Sequence, residues 1–319
     1  MEHQRRVDVV EHPGLHLDHK SVVAAVIVNG VEPIWVHPKF DPERHLAHPP
    51  EPDDVRRCLE EHPDAKGMLL ITPTDRGSCA DVGGVARVCH DFDVPVIVDE
   101  AWGVEQGHEL LDGAIRRAHR IRAAVADLPG LRPMGREIVE EGLAADLDPL
   151  KMVIDVRKLG MSGMQAVEWL RTHRHVDVGG SDSCRISASI THADDDETEE
   201  VLLGALRALV EHADSVERRP PVRLPEPSAL ELEQAMLPRE AFFDPVEHVP
   251  AERAAGRIAA ETISPYPPGV PVVAPGEVIT EEVLDYLRSG ADHGVLIPDA
   301  ADSSVRTLRV VAREANKRR

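Results

Sequence analysis

The sequence predicts an α/β fold in which a parallel sheet with helices is followed by an α+β unit and a third, proline-rich segment. Between residues 21 and 102, short apolar runs alternate with amphipathic stretches, which is typical of βαβ units and a parallel sheet. From residue 107 the pattern changes to a long amphipathic stretch followed by short strands and helices. A charged, proline-rich break at residues 215–227 separates the last part of the chain.

The first part predicts three strands, at residues 32–36, 67–72 and 94–98, with helices at residues 21–29, 53–62 and 81–91. Acidic residues and a proline stand before the second helix, as they do at many helix N-termini. Three strands form a thin sheet, smaller than most sheets of this class.

The second part begins with a helix at residues 108–127, which Leu128-Pro129-Gly130 ends. It continues with strands at residues 152–156, around Val176 and at residues 185–190, and with helices at residues 163–172 and from Asp195 to about His212. Acids just before the last helix are suited to cap it. We therefore predict four regions, at residues 1–106, 107–214, 215–227 and 228–319, of which the third is a linker.

The composition of the chain indicates which kinds of partner the protein lacks and in which cellular compartment it works. The 319 residues carry a net charge of −21, whereas phosphate recognition needs a basic surface, so we expect no nucleic-acid partner. The longest apolar run near the start, residues 22–28, is too short to span a membrane, and we expect no membrane partner. The four cysteines show no CxxC spacing, which is typical of a reducing cytoplasm.

Asp99 is the best candidate for a catalytic group, because it ends the apolar run VPVIVD. A carboxylate at that place needs a cationic or hydrogen-bonding partner, and the protonated nitrogen of a pyridine ring is one such partner. The alternative is an aspartate that caps a helix or lies at the sheet edge. Four other residues invite functional interpretations: His12, His16, His19 and Cys79.

The spacing of the three histidines could suit a metal ion, but Pro13-Gly14 interrupts it, so metal binding is not expected. His19 could instead cover a flat cofactor, or simply precede a helix. Cys79 is either an activated thiol or, more in keeping with its neighbours, a small packing residue.

Glu277 ends the proline-stiffened stretch PPGVPVVAPGE. A carboxylate held on such a loop could bind the distal amino group of a basic substrate. The alternative is an exposed residue in a surface turn.

Four motifs appear in an order that resembles the ornithine/lysine/arginine decarboxylase family of bacteria. They are Asp18-His19-Lys20-Ser21, Ile71-Thr72-Pro73-Thr74, Val96-Ile97-Val98-Asp99-Glu100-Ala101-Trp102, and Ser264 to Gly269 followed by Pro275-Gly276-Glu277. The resemblance covers nearly the whole chain. It implies a pyridoxal-phosphate enzyme of the aspartate-aminotransferase-like fold, fold type I, that decarboxylates ornithine, lysine or arginine.

The resemblance also assigns roles. His19 would stack on the cofactor ring, Asp99 would pair with its nitrogen, and Ala101 and Trp102 would line the pocket. Glu277 would lie in the motif that approaches the substrate. Region 1–106 would be a partial large domain, 107–214 the rest of the large and small domains, and 228–319 a C-terminal decarboxylase domain of α+β type.

The chain departs from the family at the lysine that forms the Schiff base. The family places a Ser-x-His-Lys segment after the DEAWG strand, and none of the six lysines here stands in that context. Asp75-Arg76 also replaces an aromatic pair. We expect an N-terminally short chain with an internal deletion near residues 103–106, weak binding of pyridoxal phosphate and impaired catalysis. The alternative is an inactive paralogue that binds or modulates a full-length decarboxylase. The protein would be a homo-oligomer, or a hetero-oligomer with that relative.

Overall fold

The computed structural model describes residues 7–11, 20–103, 108–219, 221–266 and 269–312. These residues form two compact units. Unit 1 comprises residues 1–71, 80–99 and 222–319, and unit 2 comprises residues 72–79 and 100–221. The four-region division predicted from the sequence remains a prediction.

The strands of the described chain are short, two to five residues each. In chain order they are β1 (Val7–Glu11), β2 (Glu32–Val36), β3 (Lys39–Asp41), β4 (Leu46–His48), β5 (Met68–Ile71), β6 (Ser78–Cys79), β7 (Val96–Asp99), β8 (Arg132–Pro133), β9 (Asp146–Leu147), β10 (Lys151–Asp155), β11 (Gly180–Ser181), β12 (Arg185–Ser189), β13 (Val246–Pro250) and β14 (Thr307–Val311).

The α-helices range from one turn to five turns. They are α1 (Lys20–Asn29), α2 (Pro52–Glu61), α3 (Val82–Asp91), α4 (His108–Ala126), α5 (Glu137–Glu140), α6 (Gly163–Arg174), α7 (Asp196–Glu211), α8 (Pro238–Phe243) and α9 (Glu281–His293). Among the described residues, none of these helices is long and apolar enough to cross a lipid bilayer.

Unit 1 is built on a parallel four-stranded sheet in the order β2-β1-β5-β7. The helices α2 and α3 bury Val55, Leu59 and Val85 against Met68 and Leu70 of β5. A second core of unit 1 lies in its C-terminal part, where the antiparallel pair β13–β14 and helix α9 enclose aliphatic side chains such as Ile263, Val283 and Leu308.

Unit 2 contains an antiparallel sheet in the order β11-β12-β10-β8. Helices α4, α6 and α7 pack on it through a core that includes Ala118, Ile121, Met152, Leu170 and Leu206. The helix starts are capped as their sequences suggest: Ser162 Oγ accepts the amide of Gln165 at 3.2 Å, and Asp195 Oδ1 accepts that of Thr198 at 2.9 Å.

All predicted helices are confirmed within one or two residues at most ends, and the parallel sheet is confirmed. Two strand predictions are wrong. The sheet has four strands, because β1 (VDVVE) lies between β2 and β5. No strand forms around Val176: His175 adopts a left-handed conformation with φ 55°, and the Val176 amide bonds back to the Leu170 carbonyl at 3.3 Å. That amide closes the end of α6 and does not join a strand.

Candidate functional site

Asp99 is the last residue of β7, at the carboxyl edge of the parallel sheet in unit 1. It pairs in register with Ile71, the last residue of β5, and its side chain is half-buried. Ligands of open α/β sheets bind outside the carboxyl ends of the strands, so Asp99 has the position that such a site requires. Its role toward a pyridine ring remains a prediction.

The other residues predicted to contact a cofactor differ in what the structure shows of them. His12, His16 and His19 lie outside the described residues. Ala101 and Trp102 belong to unit 2, in a turn after the strand; Ala101 is exposed and Trp102 is 38% exposed. Within the described ranges, no group of three or more His, Cys, Asp or Glu side chains could hold a metal ion.

A lysine faces the Trp102 ring within unit 2. Lys151 Nζ lies 4.9 Å from the centroid of that ring and donates a hydrogen bond to Ser189 Oγ at 3.0 Å. Lys151 and Ser189 are partners across the β10–β12 ladder, so the hydrogen bond joins neighbouring side chains on one face of the sheet. Lys151 is buried, with 8% of its surface exposed.

Burial lowers the pKa of Lys151, because the ammonium form loses water. Asp148 and Asp75 act in the opposite direction through their charge, and Arg76 lowers the pKa further. No carboxylate oxygen of the described chain lies within 4.0 Å of the amine. The stem of Lys151 passes Gly77, where a Cβ atom would lie only 2.8 Å from the Lys151 Cβ.

The other described lysines have different surroundings. Lys20 pairs with Asp299 at 2.9 Å and Lys39 with Glu51 at 2.7 Å. Lys66 and Lys158 are exposed, and Lys317 lies outside the described residues. Lys151 is therefore the one buried amine in the described part of the chain.

Asp75 and Arg76 belong to a buried cluster of charges in unit 2. Arg76 contacts Asp75 at 3.1 Å and Asp182 at 3.0 Å, and Arg185 contacts Asp182 at 3.1 Å. Although burial opposes ionisation of Asp182, the two guanidinium groups and two backbone amides lower its pKa to about 2. The cluster connects residues 72–79 to the start of β12.

Glu277 is buried in unit 1, with 3% of its surface exposed. Its Oε2 accepts a hydrogen bond from the Ala274 amide at 2.7 Å, so the side chain folds back on its own turn. Burial raises the pKa of Glu277 to about 8. The geometry excludes the exposed surface turn that was the alternative, and the predicted role in substrate binding remains untested.

The surroundings of Cys79 favour packing over reactivity. Burial and the nearby carboxylates of Asp148 and Asp146 raise the pKa of the Cys79 thiol to about 11. A thiol rather than a thiolate is thus present at neutral pH, and thiolate is the reactive form.

Sequence reasoning missed Lys151 and the partners of Arg76. Lys151 was visible only as one of six lysines, at the start of an apolar run. Nothing in the sequence indicates that this run lies beside Trp102.

The fold of this chain is similar to that of solved lysine decarboxylases. The chain superimposes on the lysine decarboxylase LdcF of Francisella novicida with a TM-score of 0.74 at 15% identity, covering 96% of this chain and 66% of that one. Lysine decarboxylase A from Pseudomonas aeruginosa gives a TM-score of 0.72 at 15% identity, covering 98% and 67%. The fold is therefore α/β, with part of a fold type I large domain, an α+β small domain and a C-terminal α+β domain, as predicted.

Sequence comparison defines the family. The Orn/Lys/Arg decarboxylase major-domain model matches residues 17–129, and the model of the C-terminal domain of the same family matches residues 227–299. An arginine decarboxylase of Bacillus anthracis is 30% identical over 373 residues, covering 92% of this chain and 75% of that protein. An arginine decarboxylase of Bacillus subtilis is 29% identical over the same length. The chain belongs to the Orn/Lys/Arg decarboxylase family.

The alignment length also shows that this chain has fewer residues than its relative in the aligned region. Since 92% of 319 residues is about 293 residues, a 373-residue alignment leaves about 80 positions without a residue of this chain. This chain is thus shorter than that relative within the region they share. The internal deletion near residues 103–106 remains a prediction.

Proposed function

We propose that this chain derives from a pyridoxal-phosphate-dependent decarboxylase of ornithine, lysine or arginine and is impaired in its own catalysis. The observation that carries the proposal is the absence of lysine between Lys66 and Lys151, which includes the stretch after the DEAWG strand. The family's Schiff-base lysine stands after that strand. Without an amine at that place, a decarboxylase lacks the group that anchors its aldehyde cofactor and releases the product.

The resemblance to the family assigns roles toward pyridoxal phosphate to individual residues. By that resemblance, Asp99 would pair with the ring nitrogen, and Ala101 and Trp102 would line the pocket. His19 would stack on the ring, and Glu277 would bind the distal amino group of the substrate. When bound, the cofactor supplies an electron sink for cleavage of the bond to the α-carboxylate.

A decarboxylation assay tests the proposal. The purified chain is incubated with pyridoxal phosphate and, separately, with arginine, lysine and ornithine, and the corresponding amines are quantified by mass spectrometry. We expect no amine above a control with pyridoxal phosphate alone, while a full-length family member in the same assay forms product. Turnover by the chain on its own would refute the impairment.

The second candidate function is binding to a full-length relative or to another copy of this chain. The observation that favours it is the position of β7, which pairs only with β5 in the described sheet and exposes 65% of Ile97. An uncovered edge strand with an apolar side chain can accept a further strand or a partner surface.

Co-expression with a full-length family member tests this candidate. We expect a mixed oligomer in size-exclusion chromatography with light scattering, and a change in the activity of the relative. Ile97→Lys should abolish the mixed species, whereas Val28→Lys, at a site that is 69% exposed on α1, should leave it intact. Failure to form any mixed or self-associated species would remove the proposal.

A further inference from the structure

Strand β7, the last strand of the described sheet in unit 1, has an outer edge that is suited to pair with itself. We propose that two copies of this chain associate by antiparallel pairing of their β7 strands, with Ile97 of one copy beside Ile97 of the other. The two four-stranded sheets would then form one continuous sheet. The inference rests on the second candidate function, for which it specifies the partner and the register.

The hydrogen bonds to β5 show which backbone groups of β7 face away from the sheet. The Pro95 carbonyl accepts the Met68 amide at 2.9 Å, and β5 and β7 are parallel with Met68 opposite Val96. In a parallel ladder, this register turns the amide and carbonyl of Ile97 toward β5 and those of Val96 and Val98 away from it. Two amides and two carbonyls therefore face the outer side of β7 in the described sheet.

One antiparallel register uses all of these outward groups. With Val96 of each copy opposite Val98 of the other, both pairs exchange two hydrogen bonds across the new contact. Ile97 then lies opposite Ile97 of the second copy as a non-hydrogen-bonded pair, with Cβ atoms about 5 Å apart. A two-fold axis passes between the two isoleucines, so each copy uses its β7 edge once and the association stops at a dimer.

The exposed side chain of Ile97 gains an apolar neighbour in this arrangement. Ile97 is 65% exposed, and it is opposite Leu69 of β5, which is partly buried. Residues that are opposite each other in a sheet share a face, so Leu69 and Ile97 of both copies would form one apolar row. Removal of this apolar surface from water favours the association.

The distribution of charge favours β7 of a second copy as the partner. The other edge strand of the sheet, β2, begins with Glu32 and Pro33, and a charge and a proline protect an edge from pairing. The one charged residue of β7 is Asp99. In the antiparallel register, each Asp99 lies beside Pro95 of the second copy, at the end of the sheet where the exposed Lys66 precedes β5. Opposite charges thus lie at the same ends of the contact.

The same register keeps the two Asp99 carboxylates apart. They are four residues apart along the strand direction, which is about 13 Å and exceeds the screening length of about 8 Å at physiological salt. Parallel pairing of the two β7 strands would instead place like charges side by side, which is destabilising.

Disulfide trapping in the full chain tests the contact and its register. Ile97→Cys places two thiols about 5 Å apart across the proposed axis, so mild oxidation should convert the variant to a covalent dimer on a non-reducing gel. Val28→Cys is the matched control, because Val28 is 69% exposed on α1 and lies outside the contact. Pro95→Cys is the control for register, since the exposed Pro95 would lie about 13 Å from its copy, too far for a disulfide. Wild-type chain oxidised in parallel reports any background from the four native cysteines.

Size-exclusion chromatography with light scattering measures the association without an added cysteine. The wild-type chain should elute with twice the mass of a monomer. Ile97→Lys should elute as a monomer at the same concentration, because two ammonium groups would face each other across the axis. Val28→Lys should stay dimeric, and circular dichroism checks that each variant is folded.

A monomeric wild-type chain would overturn the inference. A dimer that Val28→Cys or Pro95→Cys traps as readily as Ile97→Cys would also overturn it, because the contact would then lie elsewhere or in another register. A chain that is monomeric alone, yet forms a mixed species with a full-length relative that Ile97→Lys abolishes, would reject self-pairing and leave the second candidate function standing. The proposed loss of catalysis is tested separately by the decarboxylation assay.

Discussion

Replacing Asp182 with asparagine tests whether buried charge holds residues 72–79 to the start of β12. The Asp182 carboxylate contacts the guanidinium groups of Arg76 at 3.0 Å and Arg185 at 3.1 Å. These arginine side chains are only 9% and 5% exposed. Asparagine retains an oxygen for the amides of Cys184 and Arg185, which Asp182 Oδ1 accepts at 2.7 Å, so the substitution mainly removes charge.

The structure sets the expected size of the effect. Removing one partner from a buried ion pair costs about 3–5 kcal/mol, because the remaining charge is left uncompensated. Arg76 keeps its contact with Asp75 at 3.1 Å, which places the expected loss at the lower end, about 3 kcal/mol. The lowering of the Asp182 pKa from 3.8 to about 2 corresponds to about 2 kcal/mol, in reasonable agreement.

Urea unfolding followed by tryptophan fluorescence measures the change, since Trp102 and Trp169 both belong to unit 2. The folded-state pKa of Asp182 is depressed, so its stabilising contribution is present above the unfolded value of about 3.8 and is lost as pH falls toward about 2. The difference between wild type and Asp182→Asn should thus be constant from pH 5 to 7 and shrink below about pH 4.

Asp177→Asn is the matched control. Asp177 contacts Arg171 at 2.7 Å, but the two side chains are 66% and 62% exposed, so water screens the pair. This variant should unfold close to the wild-type urea midpoint. Equal midpoints for Asp182→Asn and Asp177→Asn at pH 7 would refute the reasoning.

Three further predictions concern glycines, a buried glutamate and two cysteines. Gly163→Ala should destabilise unit 2 strongly in urea unfolding, because its Cβ would lie 1.8 Å from a backbone carbonyl, whereas Gly113→Ala, with nothing within 4 Å, should stabilise helix α4 by about 1 kcal/mol. Glu277→Gln should flatten the pH dependence of stability: with the folded-state pKa raised to about 8, stability falls as pH rises from about 4.5 to 8, and glutamine removes that fall. Cys58 and Cys79, whose pKa values burial raises to about 11, should react slowly with a thiol reagent at pH 8 and quickly after denaturation.

The helices were predictable because their signals are local. Apolar periodicity and caps such as Asp81, whose Oδ1 accepts the Gly84 amide at 2.8 Å, act within a few residues. The two errors concern strands. β1 has a recognisable apolar pattern, but its place between β2 and β5 depends on pairing across the sheet. Around Val176, the apolar side chain suggested a strand. The left-handed conformation of His175 ends helix α6 there instead.

The residues of the candidate site also differ in whether the local sequence reveals them. The position of Asp99 at the end of a strand was predictable because the end of an apolar run is visible in the sequence. Lys151 was not, because its burial and its contact with Trp102 arise from residues far apart in the chain. The buried pairing of Arg76 with Asp182 has the same origin.

Two hydrophobic cores of the described chain lie, in the sequence, before and after residues 103–106, where the deletion is proposed. Before the junction, the sheet of unit 1 is covered by α2 and α3 through residues such as Val55 and Val85. After it, α4 packs Ala118 and Ile121 into the core of unit 2, and Arg120 of α4 pairs with Glu199 of α7 at 2.6 Å. In the sequence, the proposed shortening near residues 103–106 lies after the last residue of the first core and before the first residue of the second. It does fall in the stretch after the DEAWG strand, where the family places its Schiff-base lysine. Loss at this position would therefore remove the amine on which catalysis by the family depends, at a place outside the described residues of both hydrophobic cores.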